Sequence, residues 1–150
     1  MQFYYPIFLD LRSKPVLMVG GGVVALRKVK GLLEAQAKVT LISPNVLFGL
    51  KNQPITVIER PYQSGDCKGY SLVFAATSQR EVNSQIAREA AALGIPSNIA
   101  DAPEECGFIV PARFSEGGVQ VAVSTGGVNP RRAVAIRDRI KLLVNDWMTA

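Results

Sequence analysis

Three consecutive glycines, Gly20-Gly21-Gly22, stand between a short apolar run, Val16-Leu17-Met18-Val19, and a stretch whose apolar residues recur at helical spacing. Introduced by Lys14-Pro15 and cut off by glycine, the run reads as a fully buried strand ending in a tight turn. Beyond the glycines, Val23, Leu26, Val29 with Ala25, Leu32 and Leu33 make one helical stripe, and Arg27, Lys28, Lys30 and Glu34 lie off it. A buried strand, a glycine turn and a helix in that order point to an α/β unit with a parallel sheet.

Gly20 to Ala25 fits the pattern G-x-G-x-x-A in the strand-turn-helix context that gives the pattern meaning. The first glycine permits the tight turn, the second lets a pyrophosphate approach the backbone, and Ala25 lets helix and strand pack closely. The free N–H groups and the dipole at the helix start then face negative phosphates. These features predict a dinucleotide site; a tight turn without a ligand is the competing reading. The acidic residue expected about 20 residues further on to hold the adenosine ribose is missing, since Thr40 to Asn45 contains no Asp or Glu. Ser43 and Asn45 are the hydrogen-bonding side chains there, no arginine offers itself to a 2′-phosphate, and the pattern leaves NAD and NADP open.

Further strands are predicted at Lys38 to Ile42, Ile55 to Ile58, Tyr70 to Ala76 and a short one ending Asn98-Ile99-Ala100. Ser78 with Glu81 reads as a capping box, and Val82, Ile86, Ala90 and Leu93 carry a helix to Gly94, with Pro96 as a stop. After Asp101-Ala102-Pro103 the pattern changes. Phe108 to Pro111 and Val119 to Val123 read as a hairpin joined through Glu116-Gly117-Gly118. Asn129 caps a last helix with Pro130 in its first turn; its apolar stripe is Ala133, Ile136, Ile140, Leu143 with Val144, and Trp147. The other face is basic, with Arg131, Arg132, Arg137, Arg139 and Lys141. The expected fold is α/β: a Rossmann-like doubly wound parallel sheet over residues 1–103, with a strand-hairpin and helix extension over 104–150.

With 150 residues, 48% of them hydrophobic, the chain is the size of one compact domain with a small appendage. Its longest apolar run, Val16 to Leu26, holds three glycines and falls short of the roughly 18 residues a spanning helix needs. The start, MQFYYPIFLDL, has no basic region of the kind a signal peptide carries, and the cytoplasm is the expected compartment. Histidine is absent, which excludes Ser-His-Asp triads, Cys-His dyads and His-ligated zinc. Cys67 and Cys106 are too few for a disulfide framework, and no set of metal ligands stands out. A net charge of +5 suits a polyanionic partner: nucleic acid, a membrane surface or a multiply charged small ligand. A recognisable nucleic-acid module is lacking, and the basic residues are not interleaved with aromatics as a stacking platform requires. Neither nucleic acid nor membrane is therefore an expected partner.

Pro6 to Leu11, the run VGGGVVALRK from Val19 to Lys28, Ala75-Ala76-Thr77, Asn83, Asn98 with Asp101-Ala102-Pro103, Phe108 to Ala112 and VAVSTGG from Val121 to Gly127 together resemble the precorrin-2 dehydrogenase family. That family includes the N-terminal domain of siroheme synthase. The resemblance covers nearly the whole chain in consistent order and implies NAD-dependent oxidation of precorrin-2 to sirohydrochlorin, with ferrous-iron insertion in some members. It also implies a homodimer joined through the appended strands and helices, where the hairpin and Trp147 are candidates for the interface; Trp147 reads equally as core. Position by position, Gly20, Gly22, Val23 and Val24 would face the pyrophosphate, Ser43 and Pro44 the adenosine, and Thr77 and Asn83 the nicotinamide half. Asp101 would be the catalytic carboxylate. From the residues alone, Asp101 is either a proton acceptor at the end of a strand or a turn former before Ala-Pro.

Precorrin-2 is a polycarboxylate, and Arg113, Arg131 and Arg132 near Ser124 and Thr125 would suit it as charge-assisted donors. A solvated basic helix face is the other reading. Two departures from the family stand out. Gln36 stands where members often have glycine, and members continue past this point with a further helical segment, so the tetrapyrrole pocket is expected to be incomplete or completed by a partner subunit. A non-catalytic NAD- or tetrapyrrole-binding sensor or carrier is the alternative function.

Overall fold

The structure is a computed structural model and describes residues 4–149, the last five of these by backbone alone. The described residues fall into two compact units: Ile7–Phe108, and a second made of residues 109–149 with 4–6.

In the first unit β1 (Pro15–Val19), β2 (Lys38–Ile42), β3 (Thr56–Ile58), β4 (Leu72–Ala75) and β5 (Ser97–Ile99) form one sheet in the order β3-β2-β1-β4-β5. Every pairing in it is parallel. Parallel strands need crossovers that cover both faces, which is why the central strands read as unbroken apolar runs. Val16, Met18, Leu41 and Phe74 pack on one face with Ala25 and Val29 of α1 (Val23–Glu34). Leu17, Val19, Val73 and Ala75 pack on the other with Ile86 and Ala90 of α3 (Arg80–Ala92). Successive strands are added to one side of β1 and then to the other, so the crevice above β1 and β4 is the topological switch point where such sheets bind ligands. Cys67 is buried in the second face, and burial pushes its thiol up to about 11.

Local departures from the sequence expectations have physical causes. A one-turn helix, α2 (Phe48–Lys51), carries no sequence signal because four residues are too few to show a period. The capping box at Ser78 and Glu81 does not form. Helix α3 starts at Arg80 without a side-chain cap, and Thr77 Oγ1, one residue earlier than expected, accepts from the Gln79 N–H at 3.2 Å. Helix α1 closes with the Gln36 N–H on Leu33 O at 2.9 Å and the Ala37 N–H on Leu32 O at 3.0 Å, the paired bonds of a Schellman motif. That motif places Gln36 at φ +57°, the left-handed region in which glycine is favoured.

The second unit pairs β6 (Ala112–Glu116) with β7 (Val119–Val123) and packs both against α4 (Pro130–Thr149). The first hairpin strand lies four residues later than the Phe108 to Pro111 expectation. A two-residue turn with positive φ at both Gly117 (55°) and Gly118 (82°) requires its strands to abut it directly, which selects Ala112–Glu116. Phe108 meanwhile belongs to the first unit, its ring edge-on to Phe74 at 5.3 Å. Asn129 caps α4 as expected, its Oδ1 accepting from the Arg132 N–H at 2.9 Å. The expected apolar stripe is split: Ala133 and Val144 are buried, whereas Ile136 and Leu143 are exposed. The side chain of Trp147 lies outside the described residues. Among the described residues no helix is long and apolar enough to cross a membrane.

Candidate active site

The turn after β1 is shaped by close backbone approaches. Gly20 has φ +115°, and a β-carbon there would stand 2.3 Å from the Ala76 carbonyl oxygen. A β-carbon at Gly21 would stand 2.1 Å from the Asn45 carbonyl oxygen, while Gly21 O accepts from the Leu47 N–H at 3.0 Å. Gly22 differs from both. Nothing lies within 4 Å of its β-carbon position, and its φ of −91° is open to any residue. Gly22 is also the N-cap of α1, which has no side-chain cap and no acidic residue in its first turn. The first bond into the helix runs from the Leu26 N–H to Gly22 O at 3.0 Å, so the N–H groups of Val23, Val24 and Ala25 precede the helical ladder at the start of α1. Uncapped N–H groups and the helix dipole make that helix start favourable to an anion.

From this turn a chain of contacts leads to a carboxylate. The Ala76 N–H donates to Val19 O at 2.8 Å, and Thr77 follows Ala76 at the end of β4. Asn83, fully buried on α3, clamps Thr77: its Oδ1 accepts from the Thr77 hydroxyl at 2.7 Å and N–H at 3.2 Å, and its Nδ2 donates to Thr77 O at 3.1 Å. The same Nδ2 donates to Asp101 Oδ1 at 3.0 Å. Arg80, one turn before Asn83 on α3, donates to that same Oδ1 at 2.9 Å. Asp101 lies just beyond the end of β5 with its side chain two-fifths exposed. Gly20, Thr77 and Asp101 therefore come together at the C-terminal edge of three neighbouring strands, β1, β4 and β5, with Asn83 beneath them.

Other expected residues are placed as follows. Ser43 is buried at the end of β2, and its hydroxyl donates to Asn45 O at 2.8 Å, which helps to shape the loop; Pro44 is exposed beside it. Asn98 is buried, accepts from Lys28 Nζ at 2.7 Å and donates to Phe108 O at 3.0 Å, so it holds β5 to α1 and to the following loop. Arg113, Ser124, Thr125 and Arg131 lie in the second unit. Ser124 Oγ accepts from the Gly126 N–H at 3.0 Å, and the Thr125 hydroxyl donates to Asn129 O at 2.9 Å, so both stabilise the turn before α4. Arg131 is exposed in the first turn of α4.

Residues 7–112 match a family model described as "Putative NAD(P)-binding". The chain belongs to this NAD(P)-binding family. It is 42% identical over 145 residues to a siroheme synthase of Methylococcus capsulatus and 43% identical over 143 residues to one of Methylobacillus flagellatus. These matches cover 94% and 93% of the chain but 31% of each relative, so the chain spans less than a third of their length. Among solved structures it resembles SirC, a precorrin-2 dehydrogenase, with a TM-score of 0.75 and 27% identity over 95% of this chain and 70% of that one.

The NAD(P)-binding loop fits its ligand on its own geometry: the space over Gly22 is open, and the N–H groups that border it lie outside the helical ladder. Sequence reasoning missed Arg80 and the close approach at Gly21. Three glycines in a row hint at the second. Arg80 carries no motif, and its spacing of three residues before Asn83 on one helix face is the signal that could have found it.

Proposed function

We propose that the chain is an NAD-dependent dehydrogenase that oxidises precorrin-2 to sirohydrochlorin. The observation that carries this reading is the Gly20–Ala76–Thr77–Asn83–Asp101 chain of contacts, which couples an NAD(P)-binding turn to a carboxylate at the switch point. Similarity to siroheme synthases and to SirC, a precorrin-2 dehydrogenase, supplies the substrate.

Bound NAD+ supplies the hydride acceptor, and the overall change is precorrin-2 plus NAD+ to sirohydrochlorin, NADH and a proton. The chain's own part is to orient and to move that proton. Gly20 and Gly22 bring the backbone up to the pyrophosphate, with Val23 and Val24 contributing N–H groups and Pro44 flanking the adenosine. Thr77, fixed by Asn83, borders the nicotinamide half. Both donors to Asp101 converge on Oδ1, which leaves Oδ2 to take the proton as hydride departs. Arg113 and Arg131 answer the substrate's carboxylates, with Ser124 and Thr125 shaping the adjoining loop. The working form is a homodimer. Cys67 and Cys106 are both free, as suits a reducing cytoplasm.

The test follows NADH absorbance and the tetrapyrrole spectrum on mixing the protein with precorrin-2 and NAD+. Repeated turnover with sirohydrochlorin formation is expected, and Asp101→Asn should lose at least about a hundredfold in kcat while binding NAD+ as the parent does. Tight binding of both ligands without hydride transfer would favour a carrier or sensor instead.

A further inference from the structure

Asp101 is an exposed residue beyond a strand end, and nothing in a short turn of this kind keeps such a carboxylate in one orientation. Two donors from α3 do so here. Asn83 is buried and shared with Thr77, but Arg80 is half exposed, and a free arginine at that position would have many rotamers to lose. Its guanidinium is instead tied at three points: Nη1 donates to Asp101 Oδ1 at 2.9 Å, and Nη2 donates to Ser84 Oγ at 2.8 Å and to Glu105 Oε1. Glu105 sits in the short turn Pro103–Glu105, four residues beyond Asp101. Its other oxygen, Oε2, is buried with no hydrogen-bond partner among the described residues.

We propose that Arg80, anchored by Glu105 and Ser84, is a positioning residue for Asp101, and that it works by saturating Oδ1 so that Oδ2 alone faces the reacting carbon. This assignment rests on the reading of Asp101 as the proton acceptor. The guanidinium is planar and its donors form a fixed fork, so anchoring Nη2 on α3 and on the Glu105 carboxylate fixes where Nη1 points. Asn83 alone leaves the carboxylate free to rotate about a single hydrogen bond. Displacing a catalytic group by about 1 Å costs on the order of a hundredfold in rate. Substrate and cofactor affinity depend on other residues, so the effect falls on kcat.

The experiment compares wild type with Arg80→Met, Arg80→Lys, Glu105→Gln and the Arg80→Met/Glu105→Gln pair. It measures kcat and KM with precorrin-2, Kd for NAD+ by titration, and the Asp101 conformation in crystals. Arg80→Met should lower kcat roughly ten- to hundredfold, with KM and the NAD+ Kd within about twofold of wild type and Asp101 in more than one conformer. Arg80→Lys should recover part of the loss by restoring one charged donor. Glu105→Gln should lower kcat less, and should add nothing in the Arg80→Met background, because its effect passes through Arg80. A kcat for Arg80→Met within about twofold of wild type, or a single unchanged Asp101 conformer, would overturn the assignment. Asp101→Asn, assayed beside these, separates the two levels of the argument. If it turns over as wild type does, the proton-acceptor reading fails and Arg80's role falls with it; if it is inactive while Arg80→Met is not, only the present assignment fails.

Discussion

Substituting alanine at each glycine of the β1 turn separates folding from binding. At Gly20 a methyl group would meet the Ala76 backbone in a left-handed conformation, and at Gly21 it would meet the Asn45 carbonyl. Neither obstacle is a flexible side chain, so Gly20→Ala and Gly21→Ala should each lower unfolding free energy by more than about 2 kcal/mol. Gly22→Ala adds a methyl group to empty space at a permissive φ, so stability should stay within about 0.5 kcal/mol. NAD+ should nevertheless bind at least about tenfold more weakly, because the methyl group fills the line of approach of the pyrophosphate. Urea unfolding and NAD+ titration of the three variants check this, and a Gly22→Ala protein that binds NAD+ like its parent would remove the loop from the site. The G-x-G-x-x-A spacing made Gly20 and Gly22 legible in advance. It was silent on Gly21, whose reason is a contact with a loop 24 residues away in sequence.

At the scale of elements, two contacts that no periodicity reveals govern how helices end and loops dock. The C-terminus of α1 holds Gln36 at φ +57° in its Schellman motif, at a position where a β-carbon is unfavourable. Gln36→Gly should therefore stabilise the protein by about 0.5–1 kcal/mol and raise Tm by about 1–4 °C, whereas Gln36→Ala should gain nothing. Further along, Glu89 of α3 fastens the loop that covers the second face of the sheet. Its carboxylate accepts from the Tyr62 hydroxyl at 2.7 Å and from the N–H groups of Gly65 and Cys67 at 3.0 and 3.1 Å. Burial alone would raise its pKa, but these hydrogen bonds outweigh burial and hold the carboxyl below its ordinary 4.5. A depressed native pKa means stability that is present above the unfolded value and lost as pH falls through the folded one. Glu89→Gln should cost about 1–2 kcal/mol near neutral pH, and the gap to wild type should close as the pH drops below 4.5. A gap independent of pH in urea unfolding would show that the charge plays no part. The capping box at Ser78 does not form for a related reason. Ser78 and Glu81 have the right spacing, but Thr77 is fixed by the buried Asn83 and its hydroxyl reaches the Gln79 N–H first, a tertiary contact overriding a local signal.

For the molecule as a whole, alternation of buried strands with helices was enough to anticipate the doubly wound sheet, because parallel strands admit few connections. The surface of α4 was harder to read. Its period marks apolar positions but not which of them the hairpin covers: Ala133 and Val144 are buried, while Val134, Ile136, Leu142 and Leu143 are exposed, Leu142 to 67%. Helix α4 packs against both β6 and β7 and still leaves this apolar set exposed. Ile136 and Leu143, one helical face seven residues apart, and Leu142 beside them are the residues an association surface would use. A second copy of the chain is the partner that the family resemblance implies. The protein should sediment at twice its 16.2 kDa chain mass at micromolar concentration, with a Tm that rises with concentration. Leu142→Glu with Leu143→Glu should shift it to monomer, since a desolvated carboxylate at each symmetry-related position opposes association from both sides. The NAD+ Kd should not change in that variant, because the glycine turn and Asp101 both lie in the first unit. Turnover should fall if the polycarboxylate substrate is held by residues of both subunits. A wild-type protein that remains monomeric at these concentrations would remove the association surface from α4 and leave its basic and apolar residues to be explained by substrate alone.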